Sequence, residues 1–297
     1  MGAVLDDLVK LLALERIEED LFRGESQDLG WGTVFGGQVL GQALSAATQT
    51  VPADRHVHSL HAYFLRPGDV RRPIVYDVDR IRDGGSFTTR RVVAIQNGKA
   101  IFNLAASFQR SEPGLFHQEP MPSAPPPESL ASDPERFSAF LKGVPDTVLA
   151  PAARKTLLER ATAERPIDLR VVDPEPDLFD PPPRPPRRMM WLRAIDRLPD
   201  DPALHAYLLA YASDFSFVTT ALLPHGKTWL TPGMQVASID HVMWFHRPVR
   251  IDDWLLYVMD SPAAHGARGL ARGLVFTRDG DLVASSSQEG LIRERAR

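Results

Sequence analysis

The second half of this 297-residue chain contains Ala237-Ser-Ile-Asp-His-Val-Met-Trp-Phe-His-Arg-Pro248, which repeats Val57-His-Ser-Leu-His-Ala-Tyr-Phe-Leu-Arg-Pro67 from the first half. In the first copy Leu60, Ala62 and Phe64 alternate with His61, Tyr63 and Leu65 up to the Arg-Pro pair. This pattern predicts a β-strand followed by a turn. When the copies are aligned on their Arg-Pro pairs, the hairpin signals Asn97-Gly98 and Asp279-Gly280 fall within one residue of each other. The chain therefore carries one structural unit twice.

Each unit combines a helical stripe with strands linked by hairpins. The stripes are Leu40, Ala43, Leu44 and Ala47 in the first unit, and Leu204, Tyr207, Leu208 and Tyr211 in the second. The predicted fold class is α+β, with two helix-plus-antiparallel-sheet repeats that bury one another's edges or faces. We expect the first repeat over residues 1–115, a proline-rich linker over 116–165, and the second repeat over 166–297.

Composition limits the partners and the chemistry. The net charge of −4 offers no basic surface for nucleic acid, and the chain has no cysteine for disulfides, thiolate zinc sites or a cysteine nucleophile. Charged residues interrupt the apolar N-terminal run, so a signal peptide is not predicted, and no stretch reads as a membrane span of roughly 18 apolar residues. We expect a cytoplasmic protein with no nucleic-acid or membrane partner.

One acid stands out in the stretch Tyr211-Ala-Ser-Asp-Phe-Ser-Phe217, which follows the second helical stripe. Ser213 and Asp214 are of the types that begin helices, so we expect a new helix to start there and run toward Leu223. From the local pattern Asp214 is either a helix cap or an acid that accepts a proton near free helix-start amides.

Histidines suggest alternatives for the same chemistry. His58, His61, His241 and His246 lie on or beside the predicted strands, but no His-x-x-x-His or Glu-bearing zinc pattern accompanies them. A Gly-x-Ser-x-Gly nucleophile elbow is also absent from the sequence. His58 remains an alternative general base.

Several ordered motifs resemble the acyl-CoA thioesterase II family and spread over about residues 15–295. They are Leu21-Phe-Arg-Gly24, Val34-Phe-Gly-Gly-Gln-Val-Leu-Gly-Gln-Ala-Leu44, Val57 to Asp69, Arg82-Asp-Gly-Gly-Ser-Phe87, Ala94-Ile-Gln-Asn-Gly98, Met121-Pro-Ser-Ala-Pro125, Tyr211-Ala-Ser-Asp214, Ile239 to Pro248 and Gln288-Glu-Gly290. The resemblance implies a double hotdog fold, an acyl-CoA substrate, no cofactor or metal, and a homo-oligomer (dimer or tetramer) as the assembly.

The resemblance also implies the site residues. The family holds the attacking water with an Asp, a Thr and a Gln, which fall on Asp214, Ser238 and Gln288 of this sequence. Ser238 is a departure that keeps the hydroxyl and drops a methyl group. Asp240, two residues from Ser238 and on the same face of a continuous strand, is the rival acid.

These residue types suit thioester hydrolysis. The thiol leaves with a pKa of ~8.5, so a general acid is dispensable, and the enzyme supplies an activated water and a place for the oxyanion. Asp214 would act as the base, and helix-start amides at Asp214 or at Gly36-Gly37 would hold the oxyanion. Four strand arginines are either solvated or coenzyme A phosphate ligands: Arg90, Arg91, Arg268 and Arg272.

Two other functions remain open at this stage. A hotdog hydratase acting on enoyl-CoA usually carries an Asp-x-Asn-Pro-x-His signature, which Asp214-Phe-Ser-Phe217 lacks. A non-catalytic acyl-CoA-binding double hotdog would keep the pocket without needing the three polar residues.

Overall fold

The computed structural model describes residues 2–147 and 149–295, together with the side chains of these residues except 160 and 161. The first half contains α1 (Ala3–Leu12), β1 (Glu15–Glu18), β2 (Leu21–Gly24), α2 (Gly36–Thr48), β3 (His56–Phe64), β4 (Ile74–Asp83), β5 (Phe87–Gln96) and β6 (Lys99–Gln109). The connecting region contains α3 (Asp133–Gly143) and α4 (Pro151–Ala161). The second half contains β7 (Ile167–Val171), β8 (Arg187–Ala194), α5 (Pro202–Ser213), β9 (Met234–Ser238), β10 (Asp240–Phe245), β11 (Leu255–His265), β12 (Arg268–Thr277) and β13 (Leu282–Glu294). Short 3₁₀ helices cover Pro127–Ser129 and Val218–His225.

The strands of both repeats form one antiparallel sheet in the order β1-β2-β4-β5-β6-β3-β10-β13-β12-β11-β8-β7, with β9 paired to β13. The two halves join where β3 pairs with β10, so that Leu60 lies opposite Met243 and Ala62 opposite His241. The repeated stretches that define the two units are thus the strands that unite them. The predicted α+β double hotdog is confirmed by this architecture.

The hairpins form where the sequence places them. Asn97 and Gly98 both adopt positive φ, at 51° and 68°, in the two-residue turn between β5 and β6. Gly280, with φ 93°, turns the chain between β12 and β13. These two turns fix the register of the strands that follow them, including the position of Gln288 in β13.

Helices α2 and α5 pack against each other on the inner face of the sheet. All four residues of the α2 stripe (Leu40, Ala43, Leu44 and Ala47) are fully buried. The helices approach closely because Gly37 has no side chain: a Cβ there would lie 2.2 Å from the Tyr211 carbonyl oxygen. This contact brings the first turn of α2 to the last turn of α5.

The expectation that a helix begins at Ser213 or Asp214 is wrong. α5 continues through Ser213, and Asp214 is the residue after its last turn. Ser216 then adopts a positive φ of 61°, and a 3₁₀ helix starts only at Val218. Burial of nearly every α5 side chain from Leu204 onward carries the helix past the cap signal, because tertiary packing outweighs a local capping preference.

One stretch does have the length and composition of a membrane span, contrary to the expectation from the sequence. Pro202–His225, 24 residues long, is apolar enough for one, and 72% of its most apolar window is buried inside the protein. Such a composition is typical of a buried core helix, and most α5 side chains from Leu204 onward are buried.

Candidate active site

Three side chains that are distant in sequence meet at the end of α5. The Ser238 hydroxyl donates to Asp214 Oδ1 at 3.2 Å, and Gln288 Nε2 donates to the same oxygen at 2.9 Å. Gln288 Nε2 also lies 2.5 Å from Ser238 Oγ. The structure therefore brings together all three residues that the sequence singles out.

Each side chain comes from a different element. Asp214 follows α5, Ser238 is the last residue of β9, and Gln288 lies in β13 opposite Ala271 of β12. β9 pairs with β13 so that Ser238 lies opposite Gly290, two residues from Gln288. Residues two apart share a strand face, and this face points toward the helices.

The first turn of α2 closes the site on the opposite side. A Cβ on Gly36 would lie 2.6 Å from Asp214 Oδ2 and 2.9 Å from the Phe64 ring. The hydrogen bonds that Ser238 and Gln288 donate both end on Oδ1, so Oδ2 is the oxygen that faces α2. The free amides and positive dipole end of α2 thus lie beside a carboxylate.

His241 extends the cluster into the core. Its Nδ1 lies 2.9 Å from Gln288 Oε1, and its Nε2 lies 2.9 Å from Ser213 Oγ. The ring is fully buried, and burial lowers the pKa of His241 below its usual range. The sequence suggested a metal ligand, a Ser-His-Asp histidine or a strand histidine that hydrogen-bonds at a sheet face, and did not connect His241 with Gln288. The available signal was a polar residue at an inward position of the second repeat, where the first repeat has Leu60.

The rival acid Asp240 occupies a different environment. The strand is interrupted at Ile239, so the alternation that would place Asp240 with Ser238 does not continue. His241 and Met243 are the inward residues of β10, and Asp240 Oδ1 accepts a hydrogen bond from the Glu289 amide at 2.6 Å. Burial raises the pKa of Asp240.

The other three histidines make their side-chain contacts elsewhere on the sheet. His58 Nε2 lies 2.8 Å from Ser107 Oγ, His246 Nε2 lies 2.8 Å from Ser285 Oγ, and His61 packs edge-on against Trp244. Among the residues that the structure describes, none of these three rings hydrogen-bonds to the Asp214 cluster, and no group of three or more acids and histidines is arranged to hold a metal.

The four arginines considered for phosphate binding divide into two kinds. Arg90 is 1% exposed and donates to Thr50, Thr89, Arg82 and Asp83, so its role is to hold β5 against its neighbours. The other three are exposed and paired with acids: Arg91 with Asp79, Arg268 with Glu289, and Arg272 with Asp260.

Comparison with known proteins defines the class. The family described as Acyl-CoA thioesterase matches residues 184–291, and the Acyl-CoA thioesterase N-terminal domain matches residues 26–109. A crystal structure of a hotdog-fold protein from Alicyclobacillus acidocaldarius superimposes with a TM-score of 0.75 at 19% identity, over 98% of this chain and 99% of that one. Together these matches define a hotdog-fold protein of the thioesterase class.

Closer relatives narrow the class to a family. The chain is 45% identical to acyl-CoA thioesterase 2 of Haemophilus influenzae over 99% of both chains, and 45% identical to mouse acyl-coenzyme A thioesterase 8 over 96% of this chain and 88% of that protein. The crystal structure of acyl-CoA thioesterase II TesB2 from Mycobacterium marinum superimposes with a TM-score of 0.76 at 40% identity, over 97% and 99% of the two chains. The chain belongs to the acyl-CoA thioesterase II family.

Proposed function

We propose that this protein hydrolyses acyl-CoA to a free fatty acid and coenzyme A, with a water activated by Asp214, Ser238 and Gln288. The observation that carries the proposal is the convergence of the Ser238 and Gln288 side chains on one carboxylate oxygen of Asp214, although 24 to 74 residues separate the three in sequence. Family membership supports the reaction, and the geometry supports the choice of residues.

The carboxylate of Asp214 is the base of the proposed reaction. A water bound between it and Ser238 Oγ attacks the thioester carbonyl carbon while one of its protons passes to Asp214. The Gln288 amide and the Ser238 hydroxyl fix the orientation of the carboxylate, so the bound water has one productive position. The tetrahedral intermediate then collapses, the C–S bond breaks, and coenzyme A leaves as a thiolate.

The oxyanion of that intermediate is held at the first turn of α2. The amides of Gly36 and Gly37 belong to the helix start, where backbone N–H groups have no acceptor within the helix. The close approach of Gly36 to Asp214 Oδ2 supports this choice, because donors at that helix start would lie near the proposed base. Of the two helix starts considered from the sequence, α2 is therefore the one we propose.

Release of free thiol from a panel of acyl-CoA substrates tests the proposal directly. The protein has no cysteine, so a thiol-reactive dye reports coenzyme A without background from the enzyme. We expect thiol release from at least one chain length, with no hydration of crotonyl-CoA. Binding without turnover across the panel would instead support the non-catalytic acyl-CoA binder, and hydration would support the enoyl-CoA hydratase.

We further propose that the protein assembles as a homo-oligomer, a dimer or tetramer, through its sheet. Tyr63 and Trp244, which are 55% and 39% exposed, lie on the paired strands β3 and β10 at the centre of the sheet. Large exposed aromatic residues are typical of protein interfaces. Light scattering after size exclusion tests this, and a monomer at micromolar concentration would contradict it. The cytoplasmic location and the lack of nucleic-acid or membrane partners stay predictions.

A further inference from the structure

Three hydrogen bonds, together with the peptide bond between the adjacent residues Ser213 and Asp214, form a closed ring. The ring runs from Ser213 Oγ to His241, from His241 to Gln288 Oε1, and from Gln288 Nε2 to Asp214 Oδ1. Ser213, His241 and Gln288 are essentially inaccessible to solvent. Because buried polar atoms need partners, the orientation of each group in the ring constrains the next one.

The orientation of the Gln288 amide is the critical link. Its nitrogen must face Asp214, because turning the amide over would place the carbonyl oxygen against a carboxylate. The carbonyl oxygen then faces His241 Nδ1, which must supply an N–H. The other ring nitrogen, Nε2, lies 2.9 Å from Ser213 Oγ, whose hydroxyl also has the Ala210 carbonyl oxygen as an acceptor at 2.9 Å.

We propose that His241 is a positioning residue, which through its Nδ1–H holds the Gln288 amide with its nitrogen toward Asp214 and Ser238. Phe217 packs edge-on against the imidazole at 5.6 Å and keeps the ring in place. His241 touches neither the bound water nor the thioester of the proposed reaction. It acts on the reaction through Gln288, so this inference rests on the proposed function.

The first repeat provides an internal comparison for this role. Alignment of the two Arg-Pro pairs places His241 at the position of Leu60, which the sheet pairs with Ala106 across β3 and β6. Both residues are buried. The fold thus accepts two apolar residues at this pair of positions, and the polar pair His241–Gln288 occurs in the repeat that carries Asp214.

A double-mutant cycle tests the proposal, with kcat and KM measured for thiol release. His241→Leu introduces the residue that the first repeat carries, and we expect kcat to fall about tenfold with KM little changed, as for the loss of one orienting hydrogen bond. In a Gln288→Ala background the same substitution should change kcat by less than about twofold, because its target is gone. His241→Asn keeps an amide N–H near the Nδ1 position and should restore most of the activity.

An equal loss from His241→Leu in both backgrounds would overturn the proposal, as would failure of His241→Asn to recover more activity than His241→Leu. If His241→Leu does not fold, Ser213→Ala replaces it in the cycle, because removal of the hydroxyl leaves His241 Nε2 without its hydrogen-bond partner. An equal loss from Ser213→Ala in the wild-type and Gln288→Ala backgrounds would then overturn the proposal. An inactive wild-type protein would contradict the proposed function instead, so the two failures are distinguishable.

Discussion

Gly36 and Asp214 lie so close together that a single methyl group on the glycine would overlap the carboxylate. A Cβ at Gly36 would come within 2.6 Å of Asp214 Oδ2, while Gly36 belongs to the first repeat and Asp214 to the second. The site therefore depends on the way the two repeats pack, although its polar side chains all come from the second one.

Gly36→Ala tests this dependence without removing any catalytic group. The added methyl must displace the carboxylate or the Phe64 ring, and a misplacement of about 1 Å at a reacting group costs on the order of 10²-fold in rate. We expect kcat for acyl-CoA hydrolysis to fall by about that factor. Gly85→Ala is the matched control, since a Cβ there meets no atom within 4 Å. Equal activity of the two variants would contradict the prediction.

Arg90 and Arg91 are neighbours whose replacement should affect stability to very different extents. Arg90→Met removes the hydrogen bonds that a buried guanidinium donates to Thr50 and to backbone carbonyls, and buried groups left without a partner cost about 1–3 kcal/mol each. We expect a loss of about 3 kcal/mol in the free energy of unfolding, measured by chemical denaturation.

Arg91→Met is the control for this substitution. Arg91 is exposed and paired with the exposed Asp79, and such surface pairs contribute about 0–1 kcal/mol. Neither variant should change the KM for acyl-CoA if both arginines are structural. A raised KM for Arg91→Met alone would instead make Arg91 a ligand of the substrate.

The ionisation of Asp252 makes the free energy of unfolding depend on pH in the acid range. Burial alone would raise its pKa, but hydrogen bonds from the Arg250 side chain and the Leu198 amide outweigh burial and lower the pKa to about 2. Because the pKa is lower in the folded than in the unfolded state, the ionised group stabilises the fold above about pH 4 by about 2 kcal/mol, and this contribution disappears as the pH falls toward 2.

Asp252→Asn checks the sign of that effect. The difference in unfolding free energy between wild type and variant should be largest near pH 6 and should shrink as the pH falls from about 4 to about 2. Asp253→Asn, at the neighbouring and more exposed position, is the comparison. A difference for Asp252→Asn that grows on acidification would contradict the assignment.

The repeat made most of the sheet predictable, whereas the path of the chain at the site was not. Alternation and hairpin residues such as Asn97 and Gly98 act locally, so strands β3 to β6 and β10 to β13 follow from the sequence. The break at Ile239 and the extension of α5 to Ser213 depend on contacts between distant elements, which no local pattern contains. Helix α3 was missed although Ser132 and Glu135 form a capping box, because the surrounding prolines indicated a linker.

The site residues were predicted from motif resemblance, and their environment was not. Asp214, Ser238 and Gln288 are ordinary residues in their local patterns, and only the fold shows them within hydrogen-bonding distance. His241 illustrates the limit most clearly, because its role depends on which atom of Gln288 it faces. The boundaries at residues 115/116 and 165/166 stay predictions.

Ser238 is expected to tolerate the residue that the family resemblance implies. Ser238→Thr keeps the hydroxyl that donates to Asp214 and receives a hydrogen bond from Gln288, so kcat should stay within about threefold of the wild type. Ser238→Ala removes the hydroxyl and leaves Gln288 with one acceptor fewer, so we expect at least a tenfold loss, roughly the effect of one active-site hydrogen bond. Loss of activity in Ser238→Thr would show that the methyl group disturbs the water.

The sharpest prediction separates the two acids near the site. Asp214→Asn removes the proposed base, and since general-base catalysis contributes about 10²–10⁴-fold, kcat should fall by at least 10² while the melting temperature stays nearly unchanged. Asp240→Asn should keep most of the activity, because the Asp240 carboxylate accepts a hydrogen bond from the Glu289 amide and makes no hydrogen bond to the Asp214 cluster among the described residues. Activity above roughly a tenth of wild type in Asp214→Asn would transfer the role of base to Asp240 or His58, and the double variant Asp214→Asn/Asp240→Asn would then distinguish these two.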